Sequence, residues 1–217
     1  MKKKIIIATL VPLFILPFVA KISPSQSFQI INQSNQLVNN TFNLPIQQKS
    51  QIKSDYIKVI EITGWNIEIA KYFISEANNR NVSIFDEILP IISTETGGTY
   101  EFNLIHYNSN GTKDVGIFQI NNITKSDIIK LLKVEGREFK SWSRLNPEFN
   151  ISAGMCWISH LKSKELEDHS LFTSYNYGIN GAKNYASRNG TYISRYSRDV
   201  IKARNEINNV INNKINN

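Results

Sequence analysis

The sequence predicts a mainly α-helical domain with one small β-hairpin set into it. Three observations carry that reading. After Asp55, apolar residues recur three and four apart, the spacing that gathers them on one face of a helix. Ser, Thr or Asn opens these segments and Gly closes several of them, as helix ends require. A single Asn110-Gly111 pair stands between two short stretches that suit strands, where a tight turn calls for positive φ.

The chain opens on MKKKIIIATLVPLFILPFVA, in which three lysines precede an uncharged, mostly apolar run from Ile5 to Ala20. Such a run fits the hydrophobic region of an export signal better than a spanning helix, and Pro12 and Pro17 interrupt it. Residues 1–20 are expected to be a cleavable signal peptide, with a retained N-terminal anchor as the alternative. No cysteine follows the run to carry a lipid. Residues 21–54 contain no Asp or Glu and are rich in Gln, Asn and Ser, which reads as a flexible polar linker. Residues 55–217 are the expected folded domain.

Within that domain, NIEIAKYFISEANNR places Ile67, Ala70, Phe73, Ile74 and Ala77 on one helical face. SIFDEILPIISTETGG opens on Ser83 with Asp86 three residues on, a capping-box pattern. Pro90 should bend or shorten this helix, and Gly97-Gly98 should stop it. LIHYNSNGTKDVGIF reads as a hairpin around a type I′ turn at Asn110-Gly111. Helices then return: TKSDIIKLLKVEG from the cap Thr124 to the stop Gly136, NISAGMCWISHLKS capped by Asn150, a short one ending near SYNYG, and TYISRYSRDVIKARNEINNVI from Thr191.

Composition narrows the partners. With 217 residues, 41% hydrophobic and 11% aromatic, the chain can bury one real core. The net charge of +7 falls to 7 − 3 = +4 without the leader, a modest excess suited to an anionic surface such as a cell wall or membrane. No dense Lys/Arg stripe interleaved with aromatics appears, so nucleic acid is not expected. The single cysteine, Cys156, cannot form an internal disulfide, and the core alone must hold the fold. Cys156 and His160 lie four apart, but only His106 and His169 remain as histidines, and no HExxH or paired-cysteine pattern occurs. Neither a metal nor a cofactor is expected, and a core thiol is the reading for Cys156.

Ile88, Ile91/Ile92 and Glu95 fall three to four apart, so Glu95 ends an apolar stripe. Spacing alone leaves two readings open, a glutamate drawn into the edge of the core or an ordinary last-turn glutamate reaching solvent. In the first, desolvation, the negative end of the helix dipole and a nearby acid would all favour the protonated form. A carboxyl group held protonated near neutral pH is what a general acid for glycoside cleavage needs. Asp114, two residues ahead of Gly-Ile-Phe-Gln-Ile, is a second carboxylate, either an auxiliary acid or a turn-stabilising aspartate.

Four blocks, in order over about residues 60 to 200, resemble the lytic transglycosylase family of the lysozyme-like superfamily, with its soluble lytic transglycosylase domain. They are IISTETGGTYEFN, where the family carries its catalytic Glu; NGTKDVGIFQIN, similar to a Gly-Leu-Met-Gln-Ile block; LNPEFNISAGMCWISHL, similar to an Asn-Ile-x-x-Gly helix; and SYNYGINGAKNY, similar to a Tyr-Asn-x-Gly block. The Asn-Gly-x-x-Asp-x-Gly wording of the second block is closest to the small peptidoglycan-cleaving enzymes of type III and type IV secretion and conjugation systems. Four departures stand out. Thr96 takes the place of a Ser, Phe118 of a Met and Tyr177 of an Ala, and the Glu95-to-Gln119 separation is longer than in the large members of the family.

The resemblance implies a lysozyme-like α+β fold whose hairpin follows the catalytic helix, and a cleft for alternating N-acetylglucosamine (GlcNAc) and N-acetylmuramic acid (MurNAc). It implies that Glu95 protonates the glycosidic oxygen and, once ionised, takes the proton of the muramic C6 hydroxyl as that oxygen closes on C1. Gln119 and Phe118 would line the cleft, and Tyr175 and Asn176 would lie by the reacting sugar. Gly116 and Gly178 would let backbone approach the glycan or turn tightly. Among the tryptophans Trp65, Trp142 and Trp157, which read as core or cleft wall, Trp142 is the candidate for stacking on sugar. The expected protein is exported to the periplasm or wall, acts on peptidoglycan strands, and touches membrane only through an uncleaved leader. A secretion or conjugation apparatus is the further expected partner. The alternatives are a hydrolytic muramidase using Glu95 and Asp114, and a non-catalytic wall-binding scaffold.

Overall fold

The computed structural model describes residues 46–215, with side chains described over 54–213. The expected leader and residues 21–45 of the expected linker lie outside the described residues. Helix α1 (Ile46–Thr63) begins inside the segment read as linker, so residues 46–54 are helical. Then come α2 (Ile67–Arg80), a wide π-turn (Ile84–Ile88), α3 (Leu89–Thr96), strands β1 (Ile105–Tyr107), β2 (Lys113–Val115) and β3 (Ile120–Asn121), and helices α4 (Asn122–Val134), α5 (Pro147–Lys162), α6 (Asp168–Asn189) and α7 (Arg195–Ile215). The fold is mainly α with one small antiparallel sheet, the lysozyme-like arrangement expected.

Helix α5 is the centre. Phe149 to Cys156 are all buried, together with Ile158 and Leu161, so the helix is covered on all sides rather than along a stripe. Helices α2, α4 and α6 pack around it. Phe73, Phe118, Phe149 and Phe172 fill the space between them, each fully buried ring contributing about 1.5–3 kcal/mol. Cys156 lies in this core at 3% exposure, where burial pushes its thiol up to about 12. Helix α3 packs instead along α7, the last helix.

Local chemistry explains most boundaries. Asn66 caps α2 by accepting the Ile69 N–H at 2.9 Å, and Asn81 ends it in the left-handed region (φ 51°). Ser83 Oγ accepts the Asp86 N–H at 3.3 Å, while Glu87, one residue later than the pattern predicts, reaches back to the Ser83 N–H at 2.7 Å. Pro90 has no N–H to give to the Asp86 carbonyl four residues back. The chain widens into the π-turn just before it, and Arg204 of α7 donates its Nε–H to that carbonyl at 2.6 Å. Gly97 closes α3 in the left-handed region at φ 61°, as expected.

Five expectations need correction. The hairpin is part of a three-stranded sheet, because Ile120 and Asn121 return to pair with Val115 and Asp114. Its loop runs over 108–112 rather than a two-residue type I′ turn. Only Gly111 of the Asn110-Gly111 pair has positive φ (81°), and Asn110 Oδ1 accepts the Thr112 N–H at 3.0 Å. Asn121, not Thr124, caps α4, since the extended end of β3 leads straight into the helix and its Oδ1 accepts the Ile123 N–H. Asn146, not Asn150, caps α5, with Pro147 in the first turn where a missing N–H costs nothing. Helix α7 starts at Arg195 rather than Thr191, behind a reciprocal pair in which Ser194 Oγ accepts the Ser197 N–H and Ser197 Oγ accepts the Ser194 N–H.

Candidate active site

Helix α3, the sheet, the start of α4, α5 and the middle of α6 converge on a cleft of about 510 Å³. Glu95, Asp114, Gln119, Trp157, Tyr175 and Asn176 are among the residues lining it. Sequence reasoning named five of these six as site residues, and the topology brings them to one place.

Glu95 sits half-buried in the last turn of α3, at the negative end of its dipole. Burial pushes its carboxyl up to about 7; a hydrogen bond from Tyr196 works against that shift, and the charge of Asp114 adds to it. The Tyr196 hydroxyl donates to Glu95 Oε1 at 2.6 Å. Among the described residues no ion pair includes Glu95. A carboxyl group so placed keeps its proton near neutrality and can release it when negative charge develops nearby.

Tyr196 escaped the sequence reading. It belongs to α7, 101 residues beyond Glu95. A signal was present, because Tyr196, Val200, Ala203 and Ile207 repeat four, three and four apart, and the last three are buried. Tyr196 lies nearly parallel to Tyr175, with centroids 6.3 Å apart and planes 10° apart. The Tyr175 hydroxyl donates to the Phe118 carbonyl at 2.8 Å. Burial holds both phenols well above their ordinary values, followed by the repulsion of Glu95, so both remain donors. The two tyrosines therefore tie α3, α7, α6 and the Gly116–Gln119 loop to one another.

Asp114 is fixed rather than free. Its Oδ2 accepts from Asn108 Nδ2 at 2.8 Å and its Oδ1 from Asn121 Nδ2 at 2.6 Å. The Arg144 guanidinium spans the neighbouring strands, donating to the Lys113 and Ile120 carbonyls at 2.6 and 2.7 Å. The result is a stationary negative charge in the cleft, held by the sheet.

The Gly116–Gln119 loop is built around Asn150. Its Nδ2 donates to the Val115 and Arg144 carbonyls at 3.0 and 2.8 Å, and its Oδ1 accepts the Phe118 N–H at 3.1 Å. Gly116 (φ 79°) is required here, because a Cβ would stand 2.2 Å from Asn150 Nδ2. Of the two expected reasons for Gly116, a tight turn fits its positive φ, and room for a buried amide is a further one. Phe118, expected to line the cleft, is among its lining residues while only 1% exposed; its ring fills the space over Gly154, where a Cβ would meet it at 2.0 Å. Gln119 takes a left-handed φ of 42° and turns its Nε2 back to the Gly116 carbonyl at 2.7 Å.

Gly178, at φ 71° and ψ 164°, breaks α6 and lies in the cleft wall beside the exposed Asn176. Trp142 does not stack in the cleft; it packs against Phe139 and Phe149, with Lys133 over its ring. Trp157 is the tryptophan that lines it, with His160 stacked against it at 5.4 Å.

Residues 71–197 match the model of the transglycosylase SLT domain, a span that runs from α2 through Glu95 to Tyr196 and Ser197. Comparison with curated proteins and with solved structures gives no significant match. The family match covers more than half of the sequence and takes in every element that builds the cleft. This chain belongs to the transglycosylase SLT domain family, a family of enzymes that cleave glycosidic bonds.

Proposed function

We propose that the protein is a peptidoglycan lytic transglycosylase that cleaves the MurNAc-β-1,4-GlcNAc bond and leaves a 1,6-anhydro-MurNAc end. The observation that carries this reading is the Glu95 carboxyl, raised to about 7 in the cleft with a tyrosine rather than a cation beside it. Protonated Glu95 gives its proton to the glycosidic oxygen as the C1–O bond breaks. The positive charge that develops on the muramyl ring faces the fixed carboxylate of Asp114, whose attraction lowers the barrier. Glu95, now ionised, takes the proton of the C6 hydroxyl while that oxygen closes on C1, and the acid is restored with no water consumed. Tyr196 supports both stages, because its hydroxyl stabilises the ionised form of Glu95 that exists between them.

The tethering of Asp114 favours this outcome over hydrolysis. Both of its oxygens already accept amide N–H groups, so it is oriented as a charge rather than presented as a base for water. We further propose that the protein acts outside the cytoplasm, opening the wall locally for a secretion or conjugation apparatus. The lysine-led apolar start of the chain and the Asn-Gly-x-x-Asp-x-Gly block support that placement.

The test is mass spectrometry of the fragments released from purified wall. Anhydro-ended muropeptides, lighter by one water than their hydrolytic counterparts, are the expected products. Reducing ends would instead make the protein a muramidase using Glu95 and Asp114. Release of nothing by the folded protein would make it a wall-binding scaffold.

A further inference from the structure

Tyr177 is 48% exposed, yet it does not stand alone. Its ring stacks on that of Tyr185, with centroids 5.7 Å apart and planes 16° apart. Tyr185 is itself anchored, its hydroxyl donating to the Ile193 carbonyl at 3.2 Å. The break at Gly178 ends the first half of α6 at Tyr177, which takes its place in the cleft wall with Asn176. Gly181 keeps the space beside it clear, since a Cβ there would come within 3.0 Å of Tyr177 Cβ. Ile123, 66% exposed, belongs to the same cleft.

An aromatic ring with one face backed and the other half open to a cleft is a poor core element and a good platform. It offers a rigid apolar face, and little side-chain freedom remains to be lost on binding because Tyr185 already fixes it. The flat, C–H-bearing face of a pyranose matches that surface. The neighbouring Asn176 amide supplies a donor and an acceptor for an N-acetyl group, and Ile123 an apolar surface for its methyl. We infer that the stacked pair Tyr177–Tyr185 is a sugar-binding platform of the cleft, which holds an N-acetylated pyranose of the glycan strand. The inference rests on the reading of the cleft as a glycan site and adds to it the residue that grips the strand.

The probe is chitotetraose, an oligomer of N-acetylglucosamine, titrated calorimetrically into the full-length Glu95→Gln protein so that no turnover interferes. Adding Tyr177→Ala should weaken binding about tenfold, whereas Tyr177→Phe, which keeps the ring face, should stay within about twofold. In the protein with Glu95 intact, Tyr177→Ala should raise KM on solubilised glycan strands and leave kcat nearly unchanged. If chitotetraose binds the Tyr177→Ala protein as tightly as its parent, the platform does not exist, even though the glycan reading stands. If the Glu95→Gln protein binds no chitotetraose at all, the platform and the glycan reading fall together. Equal losses for Ala and Phe would overturn the stacking role as well, because they would trace binding to the hydroxyl.

Discussion

Glu76 and Glu95 are two glutamates drawn into the interior, and the fold treats them in opposite ways. Glu76, on α2, is 2% exposed. Its carboxylate accepts from Arg137, from Arg80 Nε at 3.3 Å and from Ser152 Oγ at 2.9 Å. Arg80 in turn forks onto Glu135 at 2.9 and 2.6 Å, and Arg137 donates to Tyr72 at 3.1 Å. Glu95 has one hydroxyl donor and, among the described ion pairs, no cation. A buried carboxylate is tolerated either when guanidinium groups meet its charge or when it keeps its proton. The first arrangement builds structure. The second leaves a proton available for chemistry, and a carboxyl raised to about 7 in a cleft is a candidate for that use.

Exchanging each glutamate for glutamine breaks the comparison most sharply. Glu95→Gln should cost about 10²–10⁴-fold in the rate of wall cleavage, read as fragment release per folded molecule, with no loss of melting temperature. Glu76→Gln should do the reverse. It leaves two guanidinium groups without their shared partner and should cost about 3–5 kcal/mol in urea unfolding, with turnover per folded molecule unchanged. If Glu76→Gln abolished turnover in folded protein, the division between structural and catalytic carboxylates would be wrong.

A smaller effect sharpens the assignment of Tyr196. Its hydrogen bond opposes the upward shift of Glu95, so Tyr196→Phe should move the alkaline limb of the pH–rate profile to higher pH. The rate at the optimum should fall about tenfold, because the ionised intermediate form of Glu95 loses its donor. A limb that stays in place would show that Tyr196 only packs there.

The smallest effect is on stability against pH. Folded Glu95 holds its proton up to about 7, whereas unfolded it releases it near the ordinary 4.5. Between those values the folded state binds more protons, so this group makes stability fall as pH rises through the window and level off above it. The Glu95→Gln protein lacks the effect. Its melting temperature should therefore match the parent near pH 4 and exceed it by a margin that grows to about pH 7. A constant margin across that range would remove the raised carboxyl from the account.

Glu95 was legible as the end of an apolar stripe and Asp114 from its place ahead of Gly-Ile-Phe-Gln-Ile, whereas Gln119, Tyr175 and Asn176 were legible only through the resemblance of their blocks to the transglycosylase family. What stayed hidden depends on distant packing. Asn150 carries the composition of a helix cap, and only the fold shows it three residues inside α5, bracing the loop of Phe118. Trp142 lies in a polar stretch and looked free to stack on sugar, but Phe139 and Phe149 claim it. Trp157 read equally as core or cleft wall, and only its position on α5 shows that it opens onto the cleft. The third strand is two residues long, too short for alternation to register.

The contact between Tyr196 and Glu95 also sets an order of events. A chain made from its N-terminus has α3 with Glu95, the sheet and the central helix α5 complete before α7 exists. Until α7 docks, Glu95 lacks its hydroxyl partner and α3 lacks the helix packed along it, so less burial favours the protonated carboxyl. A nascent or truncated chain ending before Tyr196 should thus be a poorer general acid than the whole protein. The proton on Glu95 is made ready by the helix that follows the rest of the cleft along the chain, a built-in delay for a domain whose implied substrate is peptidoglycan.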